Sequence, residues 1–338
     1  MPPSHPLKKP EALYKARILG FPEIDSVSDL SNKLRLPVST INYYAYRNEK
    51  FGYKEFSIPK KPHGKRILHS PVRQLKFIQA WILRNILDKL NSSNAATAFE
   101  IGKNIATNAR IHIGQSYIVN VDIKDFFSST PAKKVYSIFR SIGYSDQICW
   151  TLTNLVTFNG FLPQGGPCSP KLANLICHRL DARLLGFSKK NNLSYSRYAD
   201  DITVSTSSRV HIAKILRFLN VVIAEEGYSL RHEKTCILGR RRAKKVTGLV
   251  VSNEVRVGRK KYRELRAIIY TGIKDNDPSK ISYAEGYLNF LKGIDNKTYR
   301  QLKRYWEKLA SQHQTDPRVA GSPDKAQPHP GNNATAPP

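Results

Sequence analysis

Residues 195–205 read YSRYADDITVS, two adjacent acids set between short runs of alternating apolar and polar residues. Beyond the acids, Ile202 and Val204 fall on one face and Thr203 and Ser205 on the other. That is the period of a β-strand, and the approach to Tyr198 has the same period. Two strands this close in sequence make a hairpin, with Asp200 and Asp201 at or beside its turn. A single Asp that bonds its own backbone is an ordinary turn residue. A second adds like-charge repulsion and calls for another reason.

A candidate reason lies upstream. SYIVNVDIKDFF, residues 116–127, reads as a strand ending at Asp122. If that strand lies beside the hairpin, three carboxylates converge at one sheet edge. Left uncompensated they repel one another and raise each other's pKa, a problem that divalent cations remove. Hard oxygen donors suit Mg2+, and phosphoryl-transfer sites use two such ions bridged by carboxylates. The composition agrees with a polyanionic partner, because 55 Lys and Arg stand against 26 Asp and Glu, a net charge of +29. Nucleic acid is favoured over an anionic membrane. No apolar run approaches the ~20 residues of a membrane span, and no amphipathic anchor or lipidation motif is present. The N-terminus lacks the apolar core of a signal peptide, so the expected location is cytoplasmic. Cys149, Cys168, Cys177 and Cys236 show no Cys-x-x-Cys spacing and read as reduced thiols, not as a zinc site or disulfide framework.

The chain, 338 residues long, has room for two or three domains. Residues 1–50 read as a helical segment. Within it DSVSDLSNKLRLPVSTINYYAYR has the spacing of a helix-turn-helix, or equally of a small helical subdomain packed on the strands and helices after it. Residues 51–257 open with strands FGYKEFSIPKK and KRILHSP around a turn at Pro62-His63-Gly64. A long helix over 71–90 comes next, with Leu75, Ile78, Ile82, Ile86 and Leu90 on one face. After Asp122 a helix is expected with Thr130 as N-cap, Pro131 at its first position and Gly143 past its last turn. KLANLICHRLDARLL reads as one further helix. Residues 258–310 hold three helices, marked by Tyr262/Leu265/Ile269, Tyr283/Tyr287/Leu291 and Leu302/Trp306/Leu309. The Pro-rich tail over 311–338 has almost no large apolar residues and is expected to be disordered.

Three more segments acquire roles around the acids. Lys60-Lys61-Pro-His-Gly-Lys-Arg66 is a basic hairpin suited to a triphosphate, since Arg grips phosphate in bidentate fashion. Leu162-Pro-Gln-Gly-Gly-Pro-Cys-Ser-Pro170 is a flexible loop leading into a helix and able to lie against a nucleotide. Phe127, five residues after Asp122, places a bulky ring near the sugar. Each alone has a structural explanation, as surface turn, helix cap or core aromatic; all of them in this order do not.

IPKKPHGKRIL, VNVDIKDFF, LPQGGPCSPKLANL, YADD and EEGYSLRHEKT resemble the successive motifs of reverse transcriptases and cover about residues 50–255. Asn108-Ala-Arg-Ile-His112 and Val246-Thr247-Gly248 are similar to the Asn-Ala-x-x-His and Val-Thr-Gly elements of bacterial retron reverse transcriptases. The chain also shows no maturase, endonuclease or RNase H segment after its last helices. The resemblance implies an α+β right-hand polymerase fold, with fingers, a palm built on an antiparallel sheet, and a helical thumb. It implies two Mg2+ ions held by Asp122, Asp200, Asp201 and the Ile123 carbonyl. It implies Lys61 and Arg66 on the triphosphate, Gln164 beside the incoming nucleotide, and Phe127 as the gate against a ribose 2′-OH. Lys234 matches a proton donor to pyrophosphate, although a lysine near phosphates can act through charge alone.

The partners so implied are dNTPs and a structured non-coding RNA that serves as template and, through a guanosine 2′-OH, as primer. The product is branched msDNA. A host RNase H would trim the template, and an effector or toxin protein would act with the enzyme in anti-phage defence. RNA contacts are expected at Asn108 and His112 and at Arg240, Arg241, Arg242, Lys244, Lys245, Val246, Thr247 and Gly248. They are expected also at Arg259, Lys260, Lys261 and Tyr262, with Tyr299, Tyr305 and Trp306 as further stacking candidates. From Arg231 to Arg266 the sequence carries 13 Lys or Arg against three Glu, and such density neutralises phosphates without reading sequence. Rival readings are a group II intron-like or diversity-generating reverse transcriptase, and a catalytically silent RNA-binding scaffold of the same fold. A helix-turn-helix regulator would leave the acids unexplained.

Overall fold

The computed structural model describes residues 18, 20–59 and 64–315. Lys60, Lys61 and the 62–63 part of the basic turn lie outside the described residues, as does the tail beyond Thr315. The chain divides into two compact units, residues 1–255 and 256–338. No helix among the described residues is long and apolar enough to cross a membrane.

The first unit begins with α1 (Val27–Leu34) and α2 (Val38–Phe51). Ser26 and Asp29 close a reciprocal capping box on α1, and Arg35 ends it in the left-handed region at φ 54°. Leu30, Leu34 and Ile41 are buried in the main core of this unit. The pair is therefore a helical subdomain packed on the rest, the second of the two readings open from sequence. Strands β1 (Tyr53–Pro59) and β2 (Lys65–Pro71) pair antiparallel from Tyr53↔Pro71 to Pro59↔Lys65. The expected helix over 71–90 is shorter. α3 spans Arg73–Asn85 and gives way to a single 3-10 turn at Leu87–Lys89. Leu75, Ile78, Ile82 and Ile86 are fully buried as expected, whereas Leu90 lies past the 3-10 turn and is half-buried.

Next come α4 (Ile105–Arg110), β3 (Tyr117–Asp122), α5 (Ala132–Ile142), α6 (Asp146–Val156), α7 (Ser169–Ile176), α8 (His178–Lys190), β4 (Ser194–Tyr198), β5 (Asp201–Thr206), α9 (His211–Glu225) and β6 (Cys236–Leu238). KLANLICHRLDARLL is thus two helices broken at Cys177. The N-cap of α5 is Pro131, with Gly143 past its end at φ 111°. Thr130, expected as that cap, is instead buried, its hydroxyl donating to the Phe126 carbonyl and lying 3.1 Å from the Tyr228 hydroxyl.

The four-stranded sheet has the order β4-β5-β3-β6. Val121 faces Ile202 and Val119 faces Val204 on one side of it; Asp122 faces Asp201 and Asn120 faces Thr203 on the other. The second side is not open to solvent over its length. Thr203 and Ser205 are buried there, beneath the segment that carries α4. The small hairpin of β7 (Lys245–Val246) and β8 (Leu249–Val251) closes the unit.

The second unit is three helices, α10 (Arg259–Lys274), α11 (Pro278–Ile294) and α12 (Asn296–Thr315). Leu265, Ile269, Ala284, Leu291 and Leu302 form its core. The last helix runs on through Ser311–Thr315, past the expected start of the tail.

Candidate active site

The adjacent acids owe their place to a tight turn. β4 and β5 join through Ala199 and Asp200, with Ala199 in the left-handed region at φ 57°. The turn holds Asp200 at the end of the sheet, beside the last residue of β3: the Ile123 amide donates to the Asp200 carbonyl at 3.0 Å. Asp122 is the register partner of Asp201. Burial, and then repulsion from Asp200 and Asp122, pushes the Asp201 carboxyl up to about 6. Burial and the charge of Asp122 also raise Asp200, against the pull of Lys234 and Arg66. These acids are crowded and short of positive charge, the condition a divalent ion relieves.

Asp122 itself is held by two cations. Lys234 Nζ donates to its Oδ2 at 2.7 Å, and Arg231 Nη1 to its Oδ1 at 3.1 Å. Arg231 reaches Asp125 with Nη2 at 3.0 Å, and its amide donates to the Asp122 carbonyl at 2.8 Å. In the sequence Arg231 lies within EEGYSLRHEKT but is assigned no role of its own.

Among the described residues, no three or more His, Cys, Asp or Glu side chains form a metal-holding group. The donors fit the other way of binding Mg2+, in which one or two carboxylates share the ion with substrate phosphates and water. Asp122, Asp200 and Asp201 would supply hard oxygens for such an ion, in competition with Lys234 and Arg231 for Asp122.

A cleft of about 520 Å³ opens beside the acids, with Lys65, Arg66, Asp200, Arg231 and Lys234 on its charged wall and Phe127 and Gln164 among its other lining residues. The Gln164 carbonyl accepts from the His69 amide at 2.7 Å, tying the 162–170 loop to β2. Gly165, at φ 119°, sits so close to β2 that a Cβ would lie 3.0 Å from the His69 carbonyl oxygen. Of the two adjacent rings, Phe126 is buried in the core and Phe127 is half-buried at the cleft. The structure therefore brings together Asp122, Asp200, Asp201, Lys234, Arg66, Phe127 and Gln164.

It does not bring Asn108 and His112 to a surface. Both are fully buried. Asn108 Oδ1 accepts from the Thr97 hydroxyl at 2.9 Å. The His112 ring bridges Ser205 Oγ at 2.7 Å and Ser196 Oγ at 2.8 Å, so it staples β5 to β4 behind the acidic turn. Direct RNA contact is thus corrected to a buttressing role for these two side chains, and for Val246, which is also buried. The Thr247 hydroxyl donates to the Ile105 carbonyl, so the Val-Thr-Gly element packs on α4, the helix of the Asn-Ala-x-x-His element. Arg240, Arg241, Arg242, Lys245, Gly248, Arg259 and Lys260 are exposed; Lys244 donates to the Gln115 carbonyl. Lys261 is held by Glu264 and the Tyr283 hydroxyl and lies over the Tyr287 ring at 4.7 Å. Tyr262, Tyr299, Tyr305 and Trp306 pack on the core of the second unit. Its exposed aromatics are Tyr270, Tyr283 and Phe290 instead.

Burial lowers the His112 pKa to about 4. The unfolded chain takes up this proton near pH 6.5 and the folded chain does not, so the stability is intact above 6.5 and is lost as pH falls toward 4. Between pH 8 and pH 5 the loss from this residue is about 2 kcal/mol. Urea unfolding at the two pH values, on the parent and on His112→Asn, isolates the effect because the other groups cancel. An equal pH-dependent loss in both proteins would rule it out.

Signals for the supporting residues are present in part. Arg197 shares the apolar face of β4 with Tyr195, opposite Ile202 and Val204, and a charge on such a face requires a buried partner. That partner is Asp181.

The reverse transcriptase (RNA-dependent DNA polymerase) family pattern matches residues 58–272. The retron Ec86 reverse transcriptase of Escherichia coli is 42% identical over 307 residues, which cover 90% of this chain and 95% of the relative. The retron Mx162 enzyme of Myxococcus xanthus is 33% identical over 77% of this chain and 61% of its own length. The retron Mx65 enzyme of the same organism is 29% identical over 84% and 72%.

Proposed function

Because this chain belongs to the retron reverse transcriptases, RNA-directed DNA polymerases, we propose that it copies its own structured non-coding RNA into branched msDNA, beginning from a guanosine 2′-OH of that RNA. The observation that carries this reading is the convergence of Asp122, Asp200 and Asp201 at one sheet edge beside a basic cleft, in a chain with the two retron-type elements packed on each other. Mg2+ is the proposed metal, held by the three acids and the Ile123 carbonyl. When bound, it supplies Lewis-acid stabilisation of the attacking and leaving oxygens.

The chain's own residues do the rest. Arg66, with Lys61, grips the triphosphate of a dNTP, and Gln164 and the loop around it lie against the nucleotide. Phe127 closes the space a ribose 2′-OH would need. The primer hydroxyl gives up its proton to solvent as its oxygen bonds to the α-phosphorus, the bond to the β-phosphate oxygen breaks, and pyrophosphate leaves. Lys234, half-exposed on the cleft wall, gives that leaving group a proton or neutralises it. Exposed Arg240, Arg241, Arg242, Lys245, Arg259 and Lys260 offer phosphate contacts to the RNA. A cytoplasmic setting, trimming of the template by a host RNase H, and an effector protein for anti-phage defence complete the proposal.

The test is to express the protein with its flanking DNA, purify it with its nucleic acid, and treat that with RNase and with a 2′,5′-debranching enzyme. A DNA that keeps one RNA nucleotide until debranching is expected. A DNA with an ordinary 3′-linked start would overturn the priming mechanism.

A further inference from the structure

The segment between α3 and α4 carries two apolar side chains that the fold does not bury. Phe99 is 51% exposed with its backbone in the left-handed region at φ 59°, and Ile101 is 102% exposed. A bulky residue at positive φ is an outlier that persists only where its surroundings over-determine it. Here they do. Asn174 Nδ2 donates to the Ala98 carbonyl at 2.8 Å and to Glu100 Oε1 at 2.9 Å, and Lys171 Nζ reaches Glu100 Oε2 at 3.2 Å. Lys103 Nζ donates to the carbonyls of Asn94 and Ala96 at 3.1 and 2.8 Å. The backbone on either side of Phe99 is pinned while its ring is left outside.

The ring's position is informative. Phe99 lies 6.5 Å from the Phe127 ring, centroid to centroid, at an interplanar angle of 53°. Phe127 lines the nucleotide cleft and Phe99 does not. Phe99 therefore stands beside the proposed sugar gate, outside the lining of the cleft. The platform is also referenced to the chemistry. Asn174 Oδ1 accepts from Arg197 Nη1 at 3.0 Å, and the same nitrogen donates to the Ala199 carbonyl in the acidic turn at 3.1 Å. One asparagine thus sets both the platform and the turn that holds Asp200.

We infer that Phe99 and Ile101 form an apolar ledge that seats the sugar edge of the terminal base pair of the RNA–DNA hybrid, one step behind the incoming nucleotide. This rests on the reverse transcriptase reading of the site. The ligand class comes from the chemistry: an A-like hybrid presents a wide, shallow minor groove of sugars and base edges. Apolar side chains pack against the sugar carbons of such a surface without reading sequence. The charge of the chain supplies phosphate attraction but no position along the strand.

The test uses the full chain with a short RNA template annealed to a DNA primer. Phe99→Gly removes the ring and relieves the left-handed backbone, so folding is preserved; Phe99→Trp keeps a ring. Phe99→Gly is expected to raise the Kd for the hybrid about tenfold at fixed salt and to shorten extension products, with Phe99→Trp close to the parent. Discrimination against ribonucleotides should stay within about twofold of the parent in Phe99→Gly, whereas Phe127→Ala loses it. Unchanged hybrid affinity in Phe99→Gly would overturn the ledge. A loss of sugar discrimination in place of affinity would also overturn it, showing that Phe99 acts only by backing Phe127. If the parent chain extended no primer, the reverse transcriptase reading would fail first, independently of either variant.

Discussion

Asp200→Asn is expected to fold, to keep its RNA, and to make essentially no DNA, with primer extension down on the order of 10³-fold. The substitution preserves size and removes a charge that the proposed metal site depends on, since ions held there would act on the attacking and leaving oxygens together. The metal-free protein should not suffer. Burial and the neighbouring Asp122 raise the Asp200 pKa in the fold, so the ionised form is disfavoured there, and a neutral side chain removes that penalty. A thermal midpoint at or slightly above the parent's, alongside lost activity, is the expected pattern for a residue kept for chemistry at some expense to stability. DNA yield close to the parent's would mean that the acidic turn is not the metal site.

The second large effect lies beneath that turn. Arg197 and Asp181 are both fully inaccessible, with Arg197 Nε and Nη2 donating to the two oxygens of Asp181 at 2.8 and 2.7 Å and the Tyr195 hydroxyl adding a third bond at 2.6 Å. Removing one partner strands a buried charge. Asp181→Ala should therefore lower unfolding stability by about 3–5 kcal/mol, and the paired change Asp181→Leu with Arg197→Met should cost less than the single one. Urea unfolding of the parent, the single and the double variant checks this. A single-variant loss below about 1 kcal/mol would mean that water or another group reaches Arg197. Activity should fall in the double variant despite its stability, because Arg197 also fixes the Ala199 carbonyl in the turn.

What residues alone reveal here has a physical division. Period-2 alternation is enough to place the strands around Asp122 and the acidic hairpin, because alternation is a local property. The same reasoning puts Thr203 and Ser205 on a polar face without revealing that His112, just past α4, packs on Ser205. The buried roles of Asn108 and His112 are illegible for a related reason. A polar residue satisfied inside the protein and one facing a ligand look alike until the partners, Thr97, Ser196 and Ser205, are brought together from distant parts of the chain. Helix lengths are the other weak point. The buried face of α3 is legible at Leu75, Ile78 and Ile82 but not at Gln79, and its end at Asn85 depends on tertiary packing around Ile86 that no periodicity reports. Lys234 is visible as part of a familiar motif. Arg231, three positions earlier in the same motif and bonded to the same carboxylate, is given no role there.

The four thiols offer an experimental handle. Cys149, Cys168 and Cys177 are buried, and burial drives Cys149 up to about 12 and the other two upward as well, which keeps them protonated and inert toward electrophiles at neutral pH. Cys236 is the partly accessible one, and it sits in register with Asn120, two residues before Asp122 on the adjacent strand. A maleimide fluorophore added to the unmodified chain should therefore attach at a single position. There it would report the arrival of metal and substrate at the acidic edge in real time, without a cysteine-free background having to be built first.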